Sequence, residues 1–334
     1  VSHRTIRQIL FDTIPLEMVS IDSKIDDLLS EHTGHVALVE MVGIIKRGKL
    51  LRPGLLLLLY HGLNTDEIKS NFDKAINAAI SIEALHIATL LHDDVIDSAT
   101  MRRDMPTINS IYGNKMAILL GDMLIAKSLS IISQDKNIEI VNKICNTALT
   151  LTNGEMIQMK HLSDINMDIT QYIEIISGKT ACLFSTATEI GGLLAKVDQN
   201  TIDSVKQFGH NLGLAFQIMD DVIDIWGNAT GKVLCNDLRE KKVTIVIIKC
   251  LELCNTLEKK IIQNWFLNHH VDTSEEESSI NQIVTILNKY NVRSLCVDIA
   301  KKYINIGNTY LNSCTTGDYV FAIHSITNNI LYQT

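Results

Sequence analysis

Proline is scarce in this sequence: three in 334 residues (Pro15, Pro53 and Pro106), and none after position 106. A proline inside a helix removes an N–H and clashes with the preceding turn, so the long proline-free remainder favours helices over all-β or alternating architectures. Aromatic residues make up only 5%, and the net charge is −8. No basic stripe is interleaved with aromatics, so nucleic acid is excluded as a partner. The cysteines number seven, an odd count without a single CxxC. Cys250 and Cys254 stand one helical turn apart with no nearby His, so no zinc site is expected and the thiols read as core residues in a reducing, cytoplasmic setting. The N-terminal stretch VSHRTIRQILFDTIP has no signal-peptide apolar core; with no initiator Met, a targeting segment upstream of Val1 stays open. The greasiest runs, Leu50–Leu63 and Met116–Ile132, are interrupted by Arg52 and by Asp122 and Lys127. They are expected not to form a transmembrane segment.

What is present is aliphatic. Hydrophobic residues reach 46%, enough for a large core, and no low-complexity tract or linker divides the chain. Residues 1–334 therefore read as one domain, an all-α bundle. Helices are predicted within 1–33, up to KRGKLLRPG with a break at Gly48, Pro53 and Gly54, and over Asn71–Asp97, Asn109–Ser133, Ile138–Lys160, Ile169–Lys196 and Thr201–Trp226. From Thr244 the pattern is helical to the end, with a polar hinge at 269–279. Gly209 and Gly213 are expected to let another helix approach closely.

The pentapeptide DDVID occurs twice, at Asp93–Asp97 and Asp220–Asp224. At helical spacing His86, Asp93 and Asp97 project from one side and Asp94 reaches Asp97; Gln217, Asp220 or Asp221, and Asp224 form a second stripe. One acidic helix end alone would read as a solvated surface. Two identical ones in apolar helices suit hard divalent cations, and Mg2+ takes one or two carboxylates plus substrate phosphates. Cations are also plentiful: Lys49, Arg52, Arg102, Arg103, Lys179, Lys232 and Lys242. The inventory fits a diphosphate headgroup on a hydrocarbon ligand, and chemistry in which diphosphate departs from an allylic carbon. The GKT at Gly178–Thr180 is not a phosphate-binding loop, because Ile173 stands where that motif needs a glycine.

On these residues the chain closely resembles the trans-isoprenyl diphosphate synthases (polyprenyl synthetases) over nearly its whole length. DDVID is followed by RRDMPT, and AFQIMDDVID carries the second acidic motif. In order come GKLLRP, ALHIATLLHDD, LLGDMLIA, GEMIQM, GKTACLF, and TGK followed by NDLREKKVT. The resemblance implies a helical bundle around a central hydrophobic cavity and a Mg2+-dependent prenyltransferase that condenses isopentenyl diphosphate onto an allylic diphosphate such as geranyl or farnesyl diphosphate. It implies that Asp93, Asp94, Asp97, Asp220, Asp221 and Asp224 bind Mg2+. Arg102, Lys179 and Lys232 would hold the allylic diphosphate, with Lys242 nearby; Lys49, Arg52, His86 and Arg103 would bind isopentenyl diphosphate; Thr180 and Gln217 would line the reacting carbons. A homodimer is implied, with a peripheral membrane contact for product release. The chain departs from the family pattern at Arg47, Leu50 and Asp104, and in LREKKVTIV.

Product growth is expected to run along the first acidic helix, about 5.4 Å per turn, roughly one isoprene unit. Ala88 and Thr89, one turn upstream of Asp93, and Leu85, two turns upstream, leave that path open. The resemblance associates small residues there with long, octaprenyl-like products of about 30 to 50 carbons. A floor is expected near Ile144 and Ala148. Two other readings stand beside this one. A class I terpene cyclase shares the fold and the first motif but does not need Lys49, Arg52 and His86. A non-catalytic subunit of a hetero-oligomeric synthase would shed aspartates that this chain keeps.

Overall fold

The proline-poor stretches fold as helices. The computed structural model describes residues 4–30, 48–64, 71–102, 105–227, 235–268, 273–315 and 317–331. Arg103 and Lys232, singled out above, lie outside the described residues, as do Arg47 and Asp104. Near the N-terminus, α1 (Ile6–Thr13) is closed by a capping box between Thr5 and Gln8, and α2 (Pro15–Ser30) begins on Pro15. The expected break at Pro53 is instead the first turn of α3 (Leu51–Leu63). There the missing proline N–H costs nothing, because first-turn N–H groups have no partner within the helix.

The first acidic motif ends α4 (Phe72–Ile96). A two-residue antiparallel hairpin follows, pairing Met101 with Pro106 and Arg102 with Met105. The helix predicted over Asn109–Ser133 is two helices, α5 (Ile108–Tyr112) and α6 (Asn114–Gln134). Gly113 divides them at φ +85°, a conformation that side chains with a Cβ rarely adopt. α7 (Ile138–Lys160) follows the prediction. Ile169–Lys196, predicted as one helix, is α8 (Ile169–Ile176), a π-helical turn (Ser177–Ala181) and α9 (Cys182–Leu194). The second acidic motif ends α10 (Gln199–Trp226). Short α11 (Asn236–Arg239) precedes α12 (Ile245–Leu253), α13 (Thr256–Leu267), α14 (Thr273–Lys289), α15 (Val292–Asn312) and α16 (Asp318–Leu331). The polar hinge thus runs into the first turn of α14, where Glu275 and Glu276 favour the positive end of the helix dipole.

α10 lies along α15 and against α9, while α4 lies along α6 and against α3. Their buried aliphatic side chains join into one cluster that reaches from Ile6 to Ile330. Gly209 and Gly213 do bring α10 close to its neighbour. A Cβ on Gly213 would stand 2.5 Å from Ala181 Cα, and one on Gly209 would stand 2.7 Å from Phe184 O. All seven cysteines are free thiols. By length and composition alone Phe72–Ile96 and Asn114–Gln134 are each apolar enough to cross a membrane, a test that the core helix of a folded bundle also passes. α4 is largely buried within the bundle, whereas α6 leaves most of its surface open.

Candidate active site

A cavity of about 770 Å³ is walled by α4, α7, α8, the π turn, α10 and α11. Its polar end holds Asp93 and Asp97 from the first repeat and Asp220, Asp221 and Asp224 from the second. Lys242 joins the two sides: its Nζ donates to Asp97 Oδ1 at 2.8 Å, and its backbone N–H donates to Asp237 O. Asp237 N–H in turn donates to Asp224 Oδ2 at 3.1 Å. The two repeats therefore face one another across a shared space. Leu151, Ile175, Ile176, Leu183 and Phe216 form the apolar part of the wall.

Within each repeat the second aspartate is the buried one. Asp94 is buried and does not line the cavity; its Oδ1 accepts from Arg102 Nε at 2.7 Å. Asp221 is buried too, with Oδ2 accepting from Tyr172 O–H at 2.6 Å and Oδ1 from Gln217 Nε2 at 2.9 Å. This corrects the picture of three carboxylates on one face: Asp93 and Asp97 share the cavity side, and Asp94 is rotated about 100° from Asp93. Asp224 accepts from the N–H groups of Asn236 and Asp237.

Electrostatics follow from this crowding. Burial pushes Asp93 up to about 6; Lys179 opposes the rise, and Glu155 and Asp97 add to it. Lys179 lies 2.6 Å from Glu155 and 4.0 Å from Asp93. Burial alone would lower its pKa, but the two carboxylates outweigh burial and raise it. Lys242 rises for the same reason, beside Asp97, Asp237 and Glu240. Burial, then the charge of Asp237, raises Asp221 well above the carboxylate range.

The remaining predicted residues separate into groups. Lys49, Arg52, His86, Thr89, Arg102, Lys179, Thr180, Gln217 and Lys242 all line the cavity. Arg52 Nη1 meets His86 Nε2 at 3.0 Å, and its guanidinium lies 4.4 Å from the Phe184 ring centre and 5.9 Å from that of Phe216. Thr180 donates to Gln217 Oε1 at 2.7 Å. Leu85 and Ala88 are fully buried and, like Ile144 and Ala148, are not on the wall of this cavity. On α4, Thr89 stands about 40° from Asp93 around the axis and Ala88 about 140°, so Ala88 faces packed neighbours.

Sequence reasoning assigned no role to Glu83, Tyr172, Asp237 and Glu240, all on the wall. Glu83 and His86 share a helical spacing that could have signalled the first, and Asp237 and Glu240 repeat that spacing. Tyr172 had no such signal, because the intervening π turn shifts the register between it and Lys179.

Among the described residues no trio of acidic, His or Cys side chains closes on a single point that could hold an ion. The repeats nonetheless bring hard carboxylate oxygens to the cavity from both sides, two aspartates from the first and three from the second. Such a set fits Mg2+, whose shell is completed by water and substrate phosphate rather than by an all-protein cage.

A family model described as polyprenyl synthetase matches residues 38–287. A geranylgeranyl diphosphate synthase of Sulfolobus acidocaldarius is 34% identical over 265 residues, 77% of each chain. An all-trans-nonaprenyl-diphosphate synthase (geranyl-diphosphate specific) of Rhodobacter capsulatus is 29% identical over 87% of this chain and 86% of its own. Among solved structures, geranylgeranyl pyrophosphate synthetase from Pyrococcus horikoshii superposes with a TM-score of 0.85 at 27% identity, covering 97% of this chain and 98% of that one.

Proposed function

The chain belongs to the polyprenyl synthetase family, a family of prenyltransferases that condense isopentenyl diphosphate onto an allylic diphosphate, and on that footing we propose that it makes a long all-trans product. The observation that carries the reading is the single cavity in which both acidic repeats, their cations and an aliphatic wall meet. In this reading Asp93 and Asp97 on one side, and Asp220 and Asp224 on the other, hold Mg2+. When bound, the metal supplies charge stabilisation to the departing diphosphate.

The chain's own groups do the rest. Lys179, Lys242 and Arg102 hold the allylic diphosphate and neutralise its charge as the C–O bond breaks. Lys49, Arg52 and His86 hold isopentenyl diphosphate, with Arg52 braced by the Phe184 and Phe216 rings. Thr180 and Gln217 stand at the reacting carbons, and the aliphatic wall keeps water from the carbocation. The names of the relatives run from geranylgeranyl to nonaprenyl, so likeness alone does not set the length. The long, octaprenyl-like product of about 30 to 50 carbons rests on Thr89, a small side chain on the cavity side of α4 where an aromatic would block growth. The proposed setting is a cytoplasmic homodimer that touches a membrane only to release product. Support for the dimer comes from exposed apolar side chains on α6 and α7, Leu119 at 64% and Leu149 at 69%.

The test is incubation with Mg2+, isopentenyl diphosphate and farnesyl or geranyl diphosphate, followed by chromatography of the dephosphorylated products. Long linear prenols are expected. Cyclic hydrocarbons, or turnover only after adding a second protein, would overturn the reading.

A further inference from the structure

One buried hydroxyl belongs to none of the groups that touch substrate in the reading above. Tyr172, on α8, is 3% exposed, and its O–H donates to Asp221 Oδ2 at 2.6 Å. The other Asp221 oxygen accepts from the Gln217 amide at 2.9 Å, which turns Gln217 Oε1 toward the Thr180 hydroxyl, 2.7 Å away. In this geometry both Asp221 oxygens accept, so the NH2 end of Gln217 faces Asp221 and its carbonyl end meets Thr180. Three elements (α8, the π turn and α10) are thereby tied by one chain of hydrogen bonds around Asp221, the buried aspartate of the second repeat. Its neighbour Asp220 lines the same cavity and is exposed.

We infer that Tyr172 is a positioning residue: by fixing Asp221 it fixes the Gln217 amide and the Thr180 hydroxyl at the reacting carbons, and holds Asp220 toward the metal and diphosphate. The inference rests on the metal-dependent reading of this cavity. Physically, a buried carboxylate that loses one of its two donors turns to find another, and Asp220 shares its backbone. Partners of this indirect kind are worth about 10- to 100-fold in metal affinity or activity.

The experiment compares wild type, Tyr172→Phe, Asp221→Asn and the double variant. Tyr172→Phe keeps the ring and removes only the donor. Calorimetry reads Mg2+-dependent binding of a non-hydrolysable farnesyl diphosphate analogue, thermal melting reads the fold, and steady-state assays read kcat and the KM for isopentenyl diphosphate. Tyr172→Phe is expected to weaken Mg2+-dependent binding and lower kcat about tenfold. The KM for isopentenyl diphosphate should stay within about twofold, since Arg52 and His86 lie outside the chain of bonds. The double variant should be no worse than Asp221→Asn, because the hydroxyl acts only through that carboxylate. Unchanged binding and kcat in Tyr172→Phe would overturn the inference, as would losses that add to those of Asp221→Asn. If Tyr172→Phe does not fold, Asp221→Asn carries the test: unchanged binding and kcat there overturn it as well. Absence of Mg2+-dependent binding in wild type would instead sink the functional reading beneath it.

Discussion

Asp94 and Arg102 show how far a single residue can be read from a string of letters. The repetition of DDVID marks six aspartates, but nothing in the repeat says which carboxylate of each adjacent pair will be buried. That depends on which partner reaches it: Arg102 for Asp94, Tyr172 for Asp221. Arg102 is 37% exposed along its side chain, so solvent screens part of its pairing with the 7% exposed Asp94. Arg102→Gln is expected to lower stability by about 1–2 kcal/mol, read by urea denaturation without substrate. The thiols give a second residue-scale expectation. Burial pushes Cys250 and Cys296 up to about 12. A raised pKa keeps the neutral thiol, so at pH 8 only about one in 10⁴ of either is thiolate. Iodoacetamide at that pH should therefore label the half-buried Cys145 and Cys314 first. Cys250 and Cys296 should react only as pH climbs toward 12 or after unfolding, a difference that peptide mass spectrometry resolves.

At the scale of elements, long periodic helices were legible and their interruptions were not. α4, α7 and α10 match their predicted spans within two residues, because each carries a sustained apolar stripe. The π turn went unread: one extra residue per turn leaves no mark in hydrophobic spacing, although it delivers Lys179 and Thr180 to the cavity. It is seated against α7 through two glycines, and a Cβ on Gly154 would lie 2.5 Å from Lys179 N. That neighbour is backbone and cannot swing aside. Gly154→Ala is thus expected to cost about 1–3 kcal/mol despite alanine's better helix propensity, and to lower turnover by displacing Lys179. Chemical denaturation and steady-state kinetics on one preparation check both. The face of α4 supplies a paired prediction. Thr89→Phe should shorten the product ladder while turnover persists. Ala88→Phe, pointing into packed helices, should reduce folded yield and melting temperature instead. A shortened ladder from a stably folded Ala88→Phe would return the product path to that side of the helix.

For the molecule as a whole, an all-α bundle follows from proline scarcity and aliphatic patterning, and the facing of the two repeats follows from their identity. What covers the outside of the bundle is less legible, because an exposed leucine and a buried one look alike in a helical run. α6 carries Leu119 at 64% exposure, and α7 carries Leu149 at 69% and Met156 at 63%. Single apolar side chains on a surface are ordinary; several on two adjacent helices are the pattern of an interface. Self-association of like surfaces around a two-fold axis would bury them without adding any new element, as in the commonest closed oligomers. A charge at the centre of such a surface would be desolvated without a partner, at a cost large enough to dissociate it. The Leu119→Glu, Leu149→Glu double variant should therefore sediment at about half the mass of wild type with its helical circular dichroism intact. Neither residue lines the cavity, so any fall in turnover that accompanies dissociation would report on the partner's support of the site. A wild type that already sediments as a monomer at assay concentrations would leave those apolar faces without the proposed occupant.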